Sequence, residues 1–267
     1  MKITKTLRNL GLAGIIAAST LTQPGCGNSQ IRNSSPSYDN STANVTENSL
    51  DKMLDSAFKI ESHAVYLKDD GEMVTLGAIG TGFFVYEKDN KQYLATCYHV
   101  VDWPESLENP FTHEKINYVD SVNYIHKKDD TEERVNVIKK NPQADIAILE
   151  TEKDLNLESM VEFPDKPLKE GDATYAVGFP LNIGKFITQG MITRIEPGAN
   201  FFFTQAFLNP GNSGGPVFVL YNGKPYLAGM GRFYVIDTQG MFGAVKADYI
   251  KDTLYDALKN PDIQAKK

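Results

Sequence analysis

Hydrophobic and polar residues change rhythm three times along this chain. Leu10 to Leu21, "LGLAGIIAASTL", is an apolar run of 12 residues behind the basic residues Lys2, Lys5 and Arg8. From Gly27 to about Thr46 the chain is Ser, Asn and Thr with almost nothing apolar. Leu50, Met53, Leu54, Ala57 and Phe58 then recur at helical spacing behind Asn48-Ser49, a cap pattern with Asp51 in the first turn. After them the period shortens to that of strands: "HAVYLK", "VTLGAIGTGFFVY", "KQYLATCYHVV", "ERVNVIKK" and "ADIAILE". A polar passage from Thr151 to Lys169 separates these from "ATYAVGF", "KFITQGMITRIE", "FFFTQAF", "PVFVLY", "PYLAGMGRFYVI" and "MFGAVKA". Two sets of about six strands, split near Thr151–Gly171, predict an all-β protein of two barrels. Ile250, Leu254 and Leu258 mark a final amphipathic helix stopped by Asn260-Pro261.

The first two segments stand outside that fold. A short basic start followed by 12 apolar residues is too short to span a bilayer but suits the core of a secretory signal. "QPGCG" follows, and its Cys26 resembles the lipidated cysteine of a bacterial lipoprotein signal. That reading makes residues 1–25 the signal, 26–47 a flexible tether and Cys26 a membrane anchor outside the cytoplasm. Cleavage near Ala17-Ala18-Ser19 and an uncleaved anchor are the alternatives. The only other cysteine is Cys97, so a lipidated Cys26 leaves no disulfide. A formal charge of −7 argues against a nucleic-acid partner, which would call for a basic patch. No cofactor or metal is expected.

The chemistry centres on "LNPGNSGGPVF", Leu208–Phe218, where one serine stands among three glycines and two prolines. Such a composition weakens a strand but suits a tight loop whose N–H groups converge. Ser213 becomes a nucleophile only beside a base. Of the four histidines, solvent exposure accounts for His63, His113 and His126, whereas His99 ends the apolar run "YLATCYHVV". A carboxylate must hold the imidazole in place. Asp145 stands among Ala144, Ile146, Ala147, Ile148 and Leu149, where an acid is costly to bury without a partner.

His99, Asp145 and Ser213 follow one of the known chain orders of a catalytic triad. With "GTGFFV", "LATCYHVV", "ADIAILE", "GDATYAVGFPLNIGKFITQGMITRI" and "TQAFLNPGNSGGPVF", the chain resembles the chymotrypsin-fold serine peptidases, most closely the HtrA/DegP-like branch. The resemblance covers roughly Asp51 to Ile250. It implies two six-stranded antiparallel β-barrels, about 61–152 and 171–247, within a protease domain of about 48–260 flanked by short helices. It further implies a triad of His99, Asp145 and Ser213, an oxyanion hole from the N–H groups of Gly211 and Ser213, and peptide or protein substrates. In that family the positions of Phe207 and Leu208 line the pocket for the substrate side chain before the cut, with Ala228, Gly229 and Met230 as the opposite wall. These apolar residues imply cleavage after small-to-medium aliphatic residues. Asn212 stands where chymotrypsin-like zymogens carry an aspartate that pairs with a freed N-terminus, which implies activity without such processing. A PDZ domain is not expected, Gln205 stands where many relatives carry aspartate, and Cys97 is expected as a small buried thiol. The competing readings are an inactive peptide-binding or chaperone-like homologue and a dedicated processing protease.

Overall fold

The computed structural model describes residues 45–111, 113–129, 131–206, 209–234 and 241–259. Residues 1–44, Phe207, Leu208 and the Asn260-Pro261 stop lie outside them, and with these the signal, most of the tether and Cys26.

Helix α1 spans Glu47–Asp55. Its cap is Thr46, whose hydroxyl accepts from Ser49 N–H at 3.2 Å, two residues before the expected Asn48-Ser49 start. The expected helical residues Ala57 and Phe58 belong instead to a strand. Ser56 closes the helix by donating its N–H to Lys52 O, and its carbonyl accepts from Phe84 N–H at 3.0 Å. That bond draws the chain into sheet pairing, which overrides the helical spacing.

The first barrel comprises β1 (Ala57–Lys68), β2 (Met73–Lys88), β3 (Lys91–Thr96), β5 (Lys115–His126), β6 (Glu132–Asn141) and β7 (Ile146–Thr151). Its order is β1-β2-β3-β7-β6-β5, closed by β5 pairing with β1, and the short β4 (Ser106–Glu108) extends β5. Helix α2 (Tyr98–Val101) follows β3. The second barrel closes in the order β10-β13-β12-β11-β8-β9. Its strands are β8 (Ala173–Gly178), β9 (Phe186–Ile195), β10 (Phe201–Thr204), β11 (Pro216–Tyr221), β12 (Lys224–Tyr234) and β13 (Phe242–Lys246), and α3 (Ala247–Leu258) follows. Every strand pairing among the described residues is antiparallel. The all-β architecture of two six-stranded barrels with short flanking helices is therefore as the sequence pattern and the resemblance implied.

Strand β5 has no counterpart among the sequence-predicted strands. Of its residues only Asn123 and Ile125 are buried, so it lacks the apolar alternation that betrays a strand. Pairing with β1 on one side and β6 on the other holds it in place.

The polar passage between the barrels is stapled down rather than loose. Gln92 Oε1 accepts from Leu155 and Leu157 N–H at 3.0 and 3.2 Å. Val161 N–H donates to Phe84 O in the first barrel, and Leu227 N–H in the second donates to Glu162 O.

Candidate active site

His99 sits in α2, a single turn whose Val100 and Val101 are buried and fix its position. Asp145 is not within the strand its neighbours suggested. It occupies the turn before β7 at φ 58°, a left-handed conformation that aspartate tolerates better than most residues. Its N–H bonds Pro142 O and its carbonyl accepts from Tyr98 N–H. The turn thereby aims the carboxylate at α2.

Three donors converge on that carboxylate, which is only 7% exposed. His99 N–H reaches Oδ1 at 3.0 Å, the His99 Nδ1 atom lies 2.8 Å from Oδ2, and Arg232 Nε donates to Oδ2 at 3.2 Å. Burial pushes the Asp145 carboxyl up; the hydrogen bond and charge of His99, its backbone N–H and the Arg232 guanidinium outweigh burial and hold it below the usual range. An ionised carboxylate can only accept, so Nδ1 carries the hydrogen and Nε2 is left with its lone pair, facing away from Asp145. The His99 side chain is 48% exposed, which leaves Nε2 accessible to a reacting group.

The serine loop belongs to the second barrel and is clamped by the first. Thr81, in the "GTGFFV" strand, donates its N–H to Ser213 O at 2.8 Å and its hydroxyl to Gly211 O at 2.7 Å. Thr96 Oγ1 donates to Thr81 O at 2.7 Å and holds the clamp itself. Gly214 N–H reaches across to Gly231 O on β12.

All three glycines are required by this packing, and a Cβ on Gly215 would strike Val177 O. Gly211 has φ +98°, and a Cβ there would strike Phe179 O; Gly214 has φ +85°, and its Cβ would strike Thr81 O and Thr96 Oγ1. Gly214 also lies against the backbone of Cys97, two residues before His99, so Ser213 and His99 are brought to the same seam. The loop leaves a distinctive pattern of donors. Asn212, Gly214 and Gly215 spend their N–H groups on Asn209, Gly231 and Asn212 carbonyls. Among the described residues, the N–H groups of Gly211 and Ser213 have no acceptor.

Several expectations need correction. Ala228 and Met230 are fully buried, and Gly229 has Val245 O and Phe202 against it, so none of the three presents a wall to a substrate. The part of β12 bonded to the serine loop is Gly231, followed by Arg232. The physical reason is that β12 is buried without interruption from Leu227 through Gly231 and regains exposure only at Arg232. Phe207 and Leu208 lie outside the described residues. Solvent exposure does not account for His126, whose side chain is 14% exposed.

Asn212 is buried against Gly178, and its Oδ1 has no hydrogen-bond partner among the described residues. Cys97 is fully buried; burial pushes its thiol well up, and Sγ donates to Gly231 O at 3.3 Å. Cys97, His99 and Asp145 have potential metal-ligand atoms within 4.8 Å of one another. The protonated thiol and the His99–Asp145 bond make that group better suited to moving a proton than to holding an ion. Sequence reasoning missed the positioning part of Thr81 and the presence of Arg232. The first lay within a matched motif; the second carried no local signal.

The paired barrels and the seam between them define a chymotrypsin-like protein. A family model described as "Trypsin-like peptidase domain" matches residues 80–226, more than half of the chain. The chain belongs to this family.

Among curated proteins it is 29% identical over 161 residues to the periplasmic serine endoprotease DegP of Salmonella typhimurium, covering 58% of this chain and 30% of that one. It is 24% identical over 211 residues to the serine protease Do-like HtrA of Bacillus subtilis, covering 73% of this chain and 42% of the relative. The chain thus spans less than half the length of these relatives. A solved serine endoprotease from Yersinia pestis superposes with a TM-score of 0.60 at 19% identity, covering 79% of this chain and 66% of that one. The HtrA-type protease AlgW with tripeptide gives 0.57 at 21% identity, covering 79% and 63%. At such identities the structural likeness is one of fold. The relatives' names agree with the HtrA/DegP-like resemblance.

Proposed function

We propose that this protein is an exported serine endopeptidase in which His99, Asp145 and Ser213 act as a triad. The observation that carries the reading is the His99–Asp145 pair at 2.8 Å, set beside a serine loop whose Gly211 and Ser213 N–H groups are unspent. Ser213 Oγ attacks the scissile carbonyl while His99 Nε2 takes its proton. The carbonyl oxygen becomes an oxyanion bonded by the two free N–H groups, each such donor being worth about 3 kcal/mol in the transition state. His99 returns the proton to the leaving amine, and water then repeats the sequence on the acyl-enzyme. Asp145 keeps the imidazole oriented and balances the imidazolium. Asn212 forms no ion pair in this scheme, so catalysis needs no freshly cut N-terminus.

A serine-directed phosphonate tests the proposal. Stoichiometric labelling at Ser213, with parallel loss of peptidase activity, is the expected result. An active protein labelled elsewhere would overturn it.

Substrates are proteins or peptides, cut after Val, Ala, Ile or similar aliphatic residues. In the resembling family the positions of Phe207 and Leu208 line the pocket, and both residues are apolar in this sequence; Gly231, bonded to the serine loop, and Arg232 are proposed as the facing border. Arg232 adds a positive charge there, and its guanidinium is engaged with Asp145, so a substrate Lys or Arg would find repulsion and no carboxylate. A methylene in such a pocket is worth about 1–3 kcal/mol, so a peptide-library profile should show a graded aliphatic preference. Dominant cleavage after Lys or Arg would contradict the pocket while leaving the triad intact. The curated relatives named DegP are periplasmic by name. With the signal pattern of residues 1–25, this supports export, and Cys26 is proposed as the lipid anchor.

A further inference from the structure

The outer face of the first barrel gathers titratable groups that the proposed chemistry does not use. The register explains how. Lys59 faces His126 across the β1–β5 seam, and His126 faces Glu132 across β5–β6. Glu61 and His63 follow Lys59 at two-residue steps and share its side of β1.

His126 Nε2 lies 3.2 Å from Glu61 Oε1 and 3.8 Å from Glu132 Oε1. His63 Nε2 lies 3.4 Å from the other oxygen of Glu61. His126 Nε2 is shielded from solvent, yet it has no hydrogen bond among the described residues, because Glu132 is too distant and Glu61 stands off its N–H direction. A buried polar atom among acceptors that it does not bond is costly. A cation shared by all three groups removes that cost. A tetrahedral ion with bonds of about 2.1 Å sets its ligand atoms about 3.4 Å apart, which matches this spacing. Two carboxylates offset a divalent charge, and an ammonium now neutralises part of the carboxylate charge: Lys59 Nζ is 2.7 Å from Glu61 Oε1.

We propose that Glu61, His126 and Glu132, whose ligand atoms lie within 4.8 Å of one another, form a divalent-cation site of the kind zinc takes, with Lys59 as its competitor. The ligands come from β1, β5 and β6, so the ion pins the seam where the first barrel closes. Its role is structural. On the inner side of the same strand, Ser62 Oγ accepts from Trp103 Nε1 at 2.8 Å, and Tyr66 Oη donates to Pro104 O at 3.0 Å. Holding β1 therefore also steadies the segment that follows His99.

The test is a zinc titration of the full chain carrying Ser213→Ala, stripped with chelator and followed by calorimetry and thermal unfolding. About one equivalent is taken up, and the unfolding temperature rises with zinc concentration, as linkage requires. Glu61→Gln and His126→Gln each weaken uptake by about tenfold or more. Lys59→Met tightens it, a result that a merely structural ion pair would not produce. His99→Gln leaves it unchanged, which separates this site from the group at Cys97, His99 and Asp145. Uptake that survives Glu61→Gln and His126→Gln, that is lost in His99→Gln, or that fails to raise the unfolding temperature overturns the proposal.

Discussion

Ser213→Ala is expected to lower peptide hydrolysis by about a millionfold while leaving the folded protein intact, because the members of a triad act as a unit. The structure explains why the fold should survive. Ser213 serves the loop through its backbone, with its carbonyl accepting from Thr81 N–H, and alanine keeps that bond. Among the described residues its hydroxyl makes no hydrogen bond whose loss would cost stability. His99→Ala should be about as damaging. Steady-state hydrolysis of an aliphatic peptide substrate, with circular dichroism and melting curves alongside, checks both. Wild-type turnover by either variant would show that the triad is misassigned.

Asp145→Asn should cost about four orders of magnitude in kcat. An asparagine amide placed against His99 can donate to Nδ1, which reverses the tautomer and removes the lone pair from Nε2. The backbone should tolerate the change, since asparagine accepts φ near +58° as readily as aspartate. The charge matters separately. Asp145 has its carboxyl held below the ordinary 3.8, so the folded state binds fewer protons than the unfolded chain around that pH. Its contribution to stability is therefore present above the unfolded pKa and is lost as pH falls through the lower folded value. The Asp145→Asn protein should show a flatter loss of stability on acidification in this range. Acid titrations of both proteins by fluorescence check this. Equal slopes would mean that the His99 and Arg232 contacts do not stabilise the carboxylate.

The residues of the proposed site were easier to single out in the sequence than the scaffold that holds them. His99, Asp145 and Ser213 each sit in a short motif where a polar residue interrupts apolar neighbours, and such interruptions are visible without coordinates. Asp145 illustrates the limit. Its surroundings suggested a strand, but its backbone turns through a left-handed conformation just before β7. Strand β5 escaped notice because pairing on both sides replaces the buried face that periodicity detects. Arg232 reaches Asp145 across 87 positions, and nothing in "MGRFYV" announces a buried carboxylate as its partner. Glu61, His63 and His126 looked like ordinary surface residues because only the β1–β5 register brings them together. The wall assigned to Ala228, Gly229 and Met230 failed for a related reason. The distance along β12 at which a strand leaves the core is a property of the packed barrels, not of the strand's own composition.

The Thr81 clamp has a consequence for how this molecule comes to be active. One residue of the first barrel secures the carbonyls of Gly211 and Ser213, on either side of Asn212, and the same residue accepts Phe179 N–H through its hydroxyl. The serine loop is therefore not a property of the barrel that encodes it. During synthesis the first barrel emerges with His99 and Asp145 already in sequence, but with nothing to act on. On the proposed mechanism, cleavage would await the packing of the serine loop against Thr81, so a nascent or partly unfolded chain would be spared its own chemistry.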